Sequence, residues 1–128
     1  MTAPAKLSKI AQIALQGTDM VRATAFYRDT LGLPLMFEVA GMAFFDAGGT
    51  RILIGPKFRE APPSGDIVLY FDSGADWAAT ERGLESRGVS FSAPAQVVQR
   101  AEGKEHVFRL FKDPDGNQLA IMGWRAAQ

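Results

Sequence analysis

His106 is the side chain of this sequence best suited to acid–base chemistry. It is the only histidine among 128 residues, and imidazole ordinarily titrates near neutral pH. His106 could act as a general base or hydrogen-bond a ligand. The competing interpretation is a partly exposed strand histidine beside Glu102, Lys104 and Glu105. Because the sequence shows no partner for the imidazole, it favours this second interpretation.

Asp66 is the second candidate, because it begins a predicted strand and its carboxylate would face a cleft. A carboxylate in such a place costs desolvation free energy unless it is paired. Asp66 could therefore bind an amine or hydroxyl group of a ligand, or pair with Arg51 or Arg109. It could equally well cap the loop formed by residues 62–65 in a solvated position.

Tyr70 and Trp124 are the aromatic candidates, since either ring could stack on a planar ligand. Aromatic residues at strand spacing are nonetheless more often part of a core. Phe26 and Tyr27 fall on the apolar stripe of a predicted helix, so we expect them to be structural.

Composition narrows the classes of function. Cysteine is absent, which excludes disulfides, thiol catalysis and thiolate metal ligands. The 14 basic and 14 acidic residues cancel, so the chain lacks the basic surface that nucleic-acid binding needs. No apolar run reaches the length of about 18 residues that a membrane span requires, and residues 1–9 lack the apolar middle of a secretory signal. We expect a soluble cytoplasmic protein with neither nucleic acid nor membrane as partner.

The order strand, helix, glycine, three strands occurs twice along the chain. The first copy is predicted to have strands at residues 9–16, 35–39, 42–46 and 51–55, with a helix from the N-cap Asp19 to Gly32. The second copy is predicted to have strands at residues 66–71, 96–100, 105–111 and 118–123, with a helix capped by Ser73 or Asp76 and ended by Gly88. A tandem repeat of this length predicts one curved sheet shared by both copies. We expect an α+β fold in a single domain, residues 1–128, with module one at about 8–57, a linker at about 58–64 and module two at about 65–125.

The predicted strands have two different faces, because side chains alternate along a strand. One face is wholly apolar and is expected to pack under the two helices. The other face mixes Gln, Asp, Tyr and Met side chains. A mixed face on a curled sheet is typical of a small-molecule cleft. It could as readily meet solvent or a second subunit, and the pattern alone favours neither.

Three sequence stretches resemble the vicinal-oxygen-chelate superfamily, which contains glyoxalase I, bleomycin-resistance proteins and extradiol dioxygenases. They are residues 13–19, the Phe26-Tyr27-Arg28-Asp29 and Leu31-Gly32-Leu33 elements, and the segment 111–117 with its Asp113-Pro114-Asp115-Gly116-Asn117 turn. The similarity extends from about Lys9 to Trp124. It implies two tandem βαβββ modules forming a curved mixed sheet with a barrel-like cleft. We interpret the Asp113–Asn117 turn itself as structural, because no bidentate glutamate follows it as in a calcium loop.

The resemblance also implies where a metal would bind. Family enzymes usually hold one divalent metal through His, Gln or Glu side chains in the cleft, and the corresponding positions here are Gln12, Leu53, Asp66 and Ala120. Leu53 and Ala120 have no donor atom, whereas a tightly bound transition metal normally has three or more protein ligands. The implied site is therefore dismantled, and no cofactor is expected. The weaker alternative is a divalent metal bound by Gln12, Asp66 and His106.

The resemblance places His106 on the cleft side of its strand together with Phe108 and Leu110. The predicted cleft lining is Gln12, Leu53, Asp66, Tyr70, His106, Phe108, Leu110, Ala120 and Met122. Our first hypothesis is a small-molecule-binding protein that acts by sequestration or sensing. The second is an enzyme of lyase, isomerase or dioxygenase type, with a rebuilt metal site or with Asp66 or His106 as general base. The third is that the mixed face serves assembly; a homodimer is expected, with the cleft closed either within one chain or by swapping.

Overall fold

The computed structural model describes residues 9–56 and 67–128 of the chain. These residues form two four-stranded sheets and two helical segments. The first half contains β1 (Gln12–Gln16), α1 (Met20–Ala25), β2 (Leu35–Val39), β3 (Met42–Ala47) and β4 (Thr50–Gly55). The second half contains β5 (Leu69–Asp72), α2 (Trp77–Ser86), β6 (Gln96–Ala101), β7 (Lys104–Lys112) and β8 (Gln118–Ala126). In each half, the predicted order of strands and helix along the chain is confirmed. The α+β class is confirmed as well. The predicted module boundaries fall largely within residues 57–66, which lie outside the described residues, and stay a prediction.

Each half forms its own sheet, with strand orders β1-β4-β3-β2 and β5-β8-β7-β6. The pairs β1–β4 and β5–β8 are parallel, whereas the other neighbouring strands are antiparallel. A helix crosses over between the first strand of each half and the strands that follow, as a parallel pair requires. The two sheets are separate in their hydrogen bonding, so the described strands do not close into a barrel. Within the described residues, no helix is long and apolar enough to span a membrane.

Local sequence signals explain where the helices begin and end. The carboxylate of Asp19 accepts a hydrogen bond from Arg22 N at 3.1 Å, and that of Asp76 accepts one from Ala79 N at 3.0 Å. Of the two predicted caps of the second helix, Asp76 is therefore the correct one. The first helix departs from prediction, because it continues as a π-helical turn over Phe26–Thr30 in place of a regular α-helix.

A single cluster of buried side chains joins the two halves. Tyr27, Phe45 and Phe111 are fully buried in it. Trp77 and Leu84 of α2 belong to the same cluster. The apolar strand faces contribute as predicted, and their members in the cluster are Ile52, Ile54, Leu119 and Ile121. Burial of these side chains is the main source of the fold's stability.

The turn of residues 113–117 connects the second half to the first. Tyr27 Oη donates a hydrogen bond of 2.7 Å to the buried Asp113 Oδ2. Asn117 Nδ2 donates to Gln16 O at 3.0 Å, and both the backbone N and Oγ1 of Thr18 donate to Asp115 Oδ1. The acidic side chains of this turn are thus engaged in hydrogen bonds within the fold.

Tyr27 is expected to set an alkaline limit to stability. Burial, reinforced by the neighbouring carboxylate of Asp113, raises the pKa of Tyr27 far above its ordinary value. An unfolded tyrosine ionises near pH 10, so above about pH 10 only the unfolded state releases this proton. The free energy of unfolding should therefore fall with rising pH, and Tyr27 should contribute about 1.4 kcal/mol per pH unit to that slope.

Urea unfolding from about pH 8 to pH 11 measures this contribution. The variant Tyr27→Phe should be about 2 kcal/mol less stable near pH 8, because it lacks a hydrogen bond to a charged group, and should show a shallower alkaline decline. Tyr70→Phe is the matched control, since Tyr70 is the only other tyrosine and is half exposed. Identical alkaline slopes for wild type and Tyr27→Phe would contradict the prediction.

Candidate ligand-binding surface

Strand register gathers one set of side chains on a single face of the second sheet. Residues directly opposite each other across a ladder project to the same side. Phe108 lies opposite Met122, and His106 lies opposite Trp124. We call this surface the mixed face of the second sheet; it comprises Tyr70, His106, Phe108, Leu110, Ala120, Met122 and Trp124. Most of the predicted lining residues are thereby brought together, although whether they bind a ligand stays a prediction.

Two aromatic pairs dominate this face. The rings of His106 and Trp124 are parallel within 10°, with centroids 4.6 Å apart. The rings of Tyr70 and Phe108 meet edge to face, with centroids 5.7 Å apart. Trp124 is 40% exposed and Tyr70 is 50% exposed. Aromatic side chains usually reduce their contact with water, so rings exposed in this way are a common feature of binding surfaces.

A cavity of about 680 Å³ lies beside the aromatic pairs. Its size is within the range of small-molecule sites, which is about 300–1,000 Å³. Both aromatic and charged side chains line it. Its lining residues are Tyr70, Asp72, Gly74, Ala75, Lys104, His106, Met122, Gly123, Trp124, Arg125 and Ala126. The cavity could thus accept a flat ligand and also pair with its polar substituents.

Three predicted lining residues of the second sheet lie outside this cavity. Phe108, Leu110 and Ala120 share the mixed face but occupy positions farther along the strands. Ala120 is fully buried between its ladder partners Tyr70 and Leu110. We expect Leu110 and Ala120 to pack beside the Tyr70–Phe108 pair and support it.

The first sheet carries two of the other predicted residues, Gln12 and Leu53, while Asp66 lies outside the described residues. Gln12 and Arg51 are opposite each other in the β1–β4 ladder. Arg51 Nε donates a hydrogen bond of 2.7 Å to Gln12 Oε1. Leu53 lies on the same strand face as Arg51 and is 8% exposed. Neither Gln12 nor Leu53 lines the cavity next to His106.

The family model for the glyoxalase/bleomycin resistance protein/dioxygenase superfamily matches residues 9–121. The chain belongs to this superfamily. The matched range includes the whole first sheet, the strands β5 to β7, the turn between β7 and β8, and the first four residues of β8. The suspected resemblance is thus confirmed at the level of the superfamily.

Several solved structures of similar fold cover nearly the whole chain. An integron cassette protein from the mobile metagenome of V. cholerae has a TM-score of 0.75 and 23% identity, covering 94% of this chain and 98% of its own. Lactoylglutathione lyase from Agrobacterium tumefaciens has a TM-score of 0.75 and 19% identity, covering 92% and 95%. The antibiotic binding protein TnmS3 from Streptomyces sp. CB03234 has a TM-score of 0.70 and 22% identity, covering 94% and 98%. At these identities the likeness shows a shared fold alone, and no curated protein matches the chain.

The side chains at the superfamily's metal positions do not form a fitting donor set. Leu53 and Ala120 carry no donor atom, and the oxygen of Gln12 already accepts from Arg51. The guanidinium charge beside Gln12 also repels a cation. Among residues 9–56 and 67–128, no three His, Cys, Asp or Glu side chains are grouped as metal ligands. Asp66, the remaining position and a member of the alternative ligand set, lies outside the described residues.

The contact of Arg51 differs from the one that the sequence predicts. Arg51 was considered only as a partner for Asp66, whereas the structure pairs it with Gln12. Arg109, the other predicted partner, lies on the helix side of β7, where Nη1 is 2.7 Å from Glu81 Oε2 and the guanidinium covers the ring of Phe91. The alternation of β1 and β4 could have indicated the Gln12–Arg51 contact, once the two strands were known to be neighbours.

Proposed function

We propose that this protein binds a small, flat, aromatic molecule in the cavity beside the mixed face of the second sheet. The observation that carries this proposal is the exposed Trp124 ring, which is stacked on His106 and forms a wall of the cavity. The role would be sequestration or sensing. A structural neighbour named as an antibiotic binding protein supports the idea that this fold is suited to binding.

The chemistry of the cavity favours a planar ligand with polar substituents. Tyr70 and Trp124 offer ring surfaces, and an aromatic contact contributes about 1 kcal/mol beyond the burial of its area. Asp72, Lys104 and Arg125 supply charges of both signs near these rings. A few polar groups around an apolar surface typically determine the orientation of a ligand.

Intrinsic fluorescence tests the proposal, because the chain has two tryptophans in contrasting environments. Trp77 is buried at 4% exposure, whereas Trp124 is 40% exposed. Titration with a panel of naphthalene diols, quinolines and acridines should reveal a compound that changes the emission saturably and raises the melting temperature. In Trp124→Phe the fluorescence change should disappear. His106→Ala should weaken binding about fivefold, the loss expected for one aromatic contact of about 1 kcal/mol.

Val21→Ala is a suitable control for the same titrations. Val21 is an exposed apolar residue of α1 and does not line the cavity, so its truncation should leave the affinity unchanged. The proposal fails if the panel produces no saturable change, or if Trp124→Phe binds and responds like the wild type. Trp124 shielded from acrylamide quenching by a second subunit would instead favour the assembly hypothesis, in which the mixed face is an interface.

Catalysis is the second candidate function, because the only histidine of the chain lines the same cavity. An imidazole there could take a proton from a bound ligand in an isomerase-like step. Conversion of a bound compound by the wild type, lost in His106→Gln with binding retained, would favour catalysis over sequestration. We also propose that the protein is a homodimer, since the apolar residues Met36 and Val39 are exposed on the edge strand β2 and an edge strand readily pairs with another chain.

A further inference from the structure

The first sheet carries a second candidate site, centred on the guanidinium of Arg51. Its Nε is used by Gln12 Oε1, at 2.7 Å. The acceptor is neutral, so the bond orients the guanidinium without cancelling its charge. The two Nη groups form the far edge of the fork, which is the edge that can hold both oxygens of a carboxylate.

The guanidinium of Arg51 lies over the rings of Phe37 and Phe44. The rings of Phe37 and Phe44 are stacked with centroids 4.5 Å apart. The Arg51 guanidinium carbon lies 5.1 Å from the Phe44 centroid and 6.0 Å from the Phe37 centroid. Such cation–π contacts restrict the guanidinium to one plane and displace part of its hydration shell. A restricted, partly dehydrated arginine loses less entropy and less hydration when an anion binds.

Among residues 9–56 and 67–128, the carboxylate placed opposite Arg51 in the strand register is engaged in a turn. Asp46 lies opposite Arg51 in the β3–β4 ladder, but its Oδ1 accepts from Gly49 N at 2.9 Å in the adjoining turn. The ion pairs among the described residues do not include Arg51. Phe37 is 41% exposed beside the guanidinium and presents an apolar surface to the body of a ligand.

We propose that Arg51 and Gln12 form a binding site for small organic carboxylates on the first sheet, with Phe37 contacting the carbon skeleton. The site is separate from the cavity of the second sheet, so it does not depend on the function proposed for that cavity. The same contact between Arg51 and Gln12 explains why Gln12 is poorly suited to bind a metal. A fixed guanidinium supplies the positive charge at this position, and the ligand it selects is an anion.

Benzoate is a suitable probe, and benzamide is its neutral counterpart of the same shape. Titrations followed by the ¹⁵N–¹H signals of arginine Nε–H groups should show saturable benzoate binding to the wild type, with the Arg51 signal shifting. Benzamide should bind at least tenfold more weakly. Arg51→Gln should weaken benzoate binding at least tenfold, and Arg51→Lys about fivefold, because lysine keeps the charge but lacks the fork.

Two further variants separate a binding role from a structural one. Gln12→Glu should place a carboxylate on Arg51 within the fold, so benzoate binding should be lost while the melting temperature is maintained or raised. Arg82→Gln removes an equal charge from an exposed position on α2 and should leave the benzoate affinity within twofold of wild type. Equal benzoate affinities for wild type and Arg51→Gln, or equal binding of benzoate and benzamide, would overturn the proposal.

Discussion

Replacing Asp113 by alanine is expected to lower the free energy of unfolding by about 4 kcal/mol. Asp113 is 5% exposed. Its carboxylate accepts hydrogen bonds from Tyr27 Oη, from Asn117 Nδ2 and from the backbone N atoms of Asp115 and Asn117. Hydrogen bonds to a charged group contribute about 1.5–3 kcal/mol each, and alanine would remove all of them. Water can reach some of the donors that alanine leaves without an acceptor. The total loss of stability therefore stays below the sum of the individual hydrogen-bond contributions.

The effect of Asp113→Ala is measured by urea unfolding at neutral pH. Asp72→Ala is the matched control, because Asp72 ends strand β5, is exposed and, among the described residues, accepts a hydrogen bond from Gly74 N alone. The control should lose about 1 kcal/mol or less. Since a domain of this size is stable by about 5–15 kcal/mol, Asp113→Ala should lose between about a quarter and four fifths of the total free energy of unfolding. Equal losses for the two variants would show that the turn does not hold the halves together.

Features determined by nearby residues could be predicted from the sequence. The N-caps Asp19 and Asp76 are recognisable because each carboxylate reaches a backbone N–H three residues later. The three strands β2, β3 and β4 were predicted to within a residue at each end, since alternation and turn glycines are local signals. Gly41 and Gly49 adopt positive φ values at these turns, as tight turns require. The π-helical turn was missed, because the apolar spacing of the first helix resembles that of a regular α-helix.

Features that depend on partners distant in the sequence could not be predicted in the same way. The family resemblance placed His106 and Phe108 on one face, but the stacking of His106 on Trp124 depends on the register of β7 against β8. The Gln12–Arg51 bond joins residues 39 positions apart, and it forms only because β1 and β4 are neighbours. Tyr27 and its partner 86 positions away were each expected to be structural, yet nothing local indicated their contact.

The division of the predicted site into two groups has the same origin. A resemblance to a family assigns residues to one cleft by their positions in the fold. Which of those residues contact one another then depends on the side chains that this sequence has at these positions. Here Gln12, at a position where the superfamily resemblance implies a metal ligand, accepts a hydrogen bond from a guanidinium, whereas aromatic rings line a cavity beside the second sheet. The superfamily fold is therefore retained while the local chemistry differs between its two sheets.

Glu105 is paired with Arg125, a residue that also lines the cavity of the second sheet. Replacing Glu105 by alanine is expected to lower the free energy of unfolding by about 3 kcal/mol. Glu105 is 2% exposed, and its Oε1 accepts from Arg125 Nε at 2.9 Å. Its Oε2 lies 3.6 Å from Arg100 Nε. Removing one partner of a buried ion pair costs about 3–5 kcal/mol, because the other charge is left without compensation. We place the loss at the lower end of that range, since the Arg125 side chain is 20% exposed and can reach water.

Urea unfolding of Glu105→Ala, Arg125→Ala and the double variant measures the coupling between the two charges. Glu85→Ala, an exposed glutamate of α2, should change stability by no more than about 0.5 kcal/mol. Because the pair is shielded from solvent, the loss in Glu105→Ala should persist at high salt, unlike that of a surface pair. Arg125 also lines the cavity, so the same variant should weaken binding of any ligand whose polar group contacts the guanidinium. A coupling free energy near zero would mean that Glu105 and Arg125 act independently, and the proposed link between sheet stability and ligand affinity would then fail.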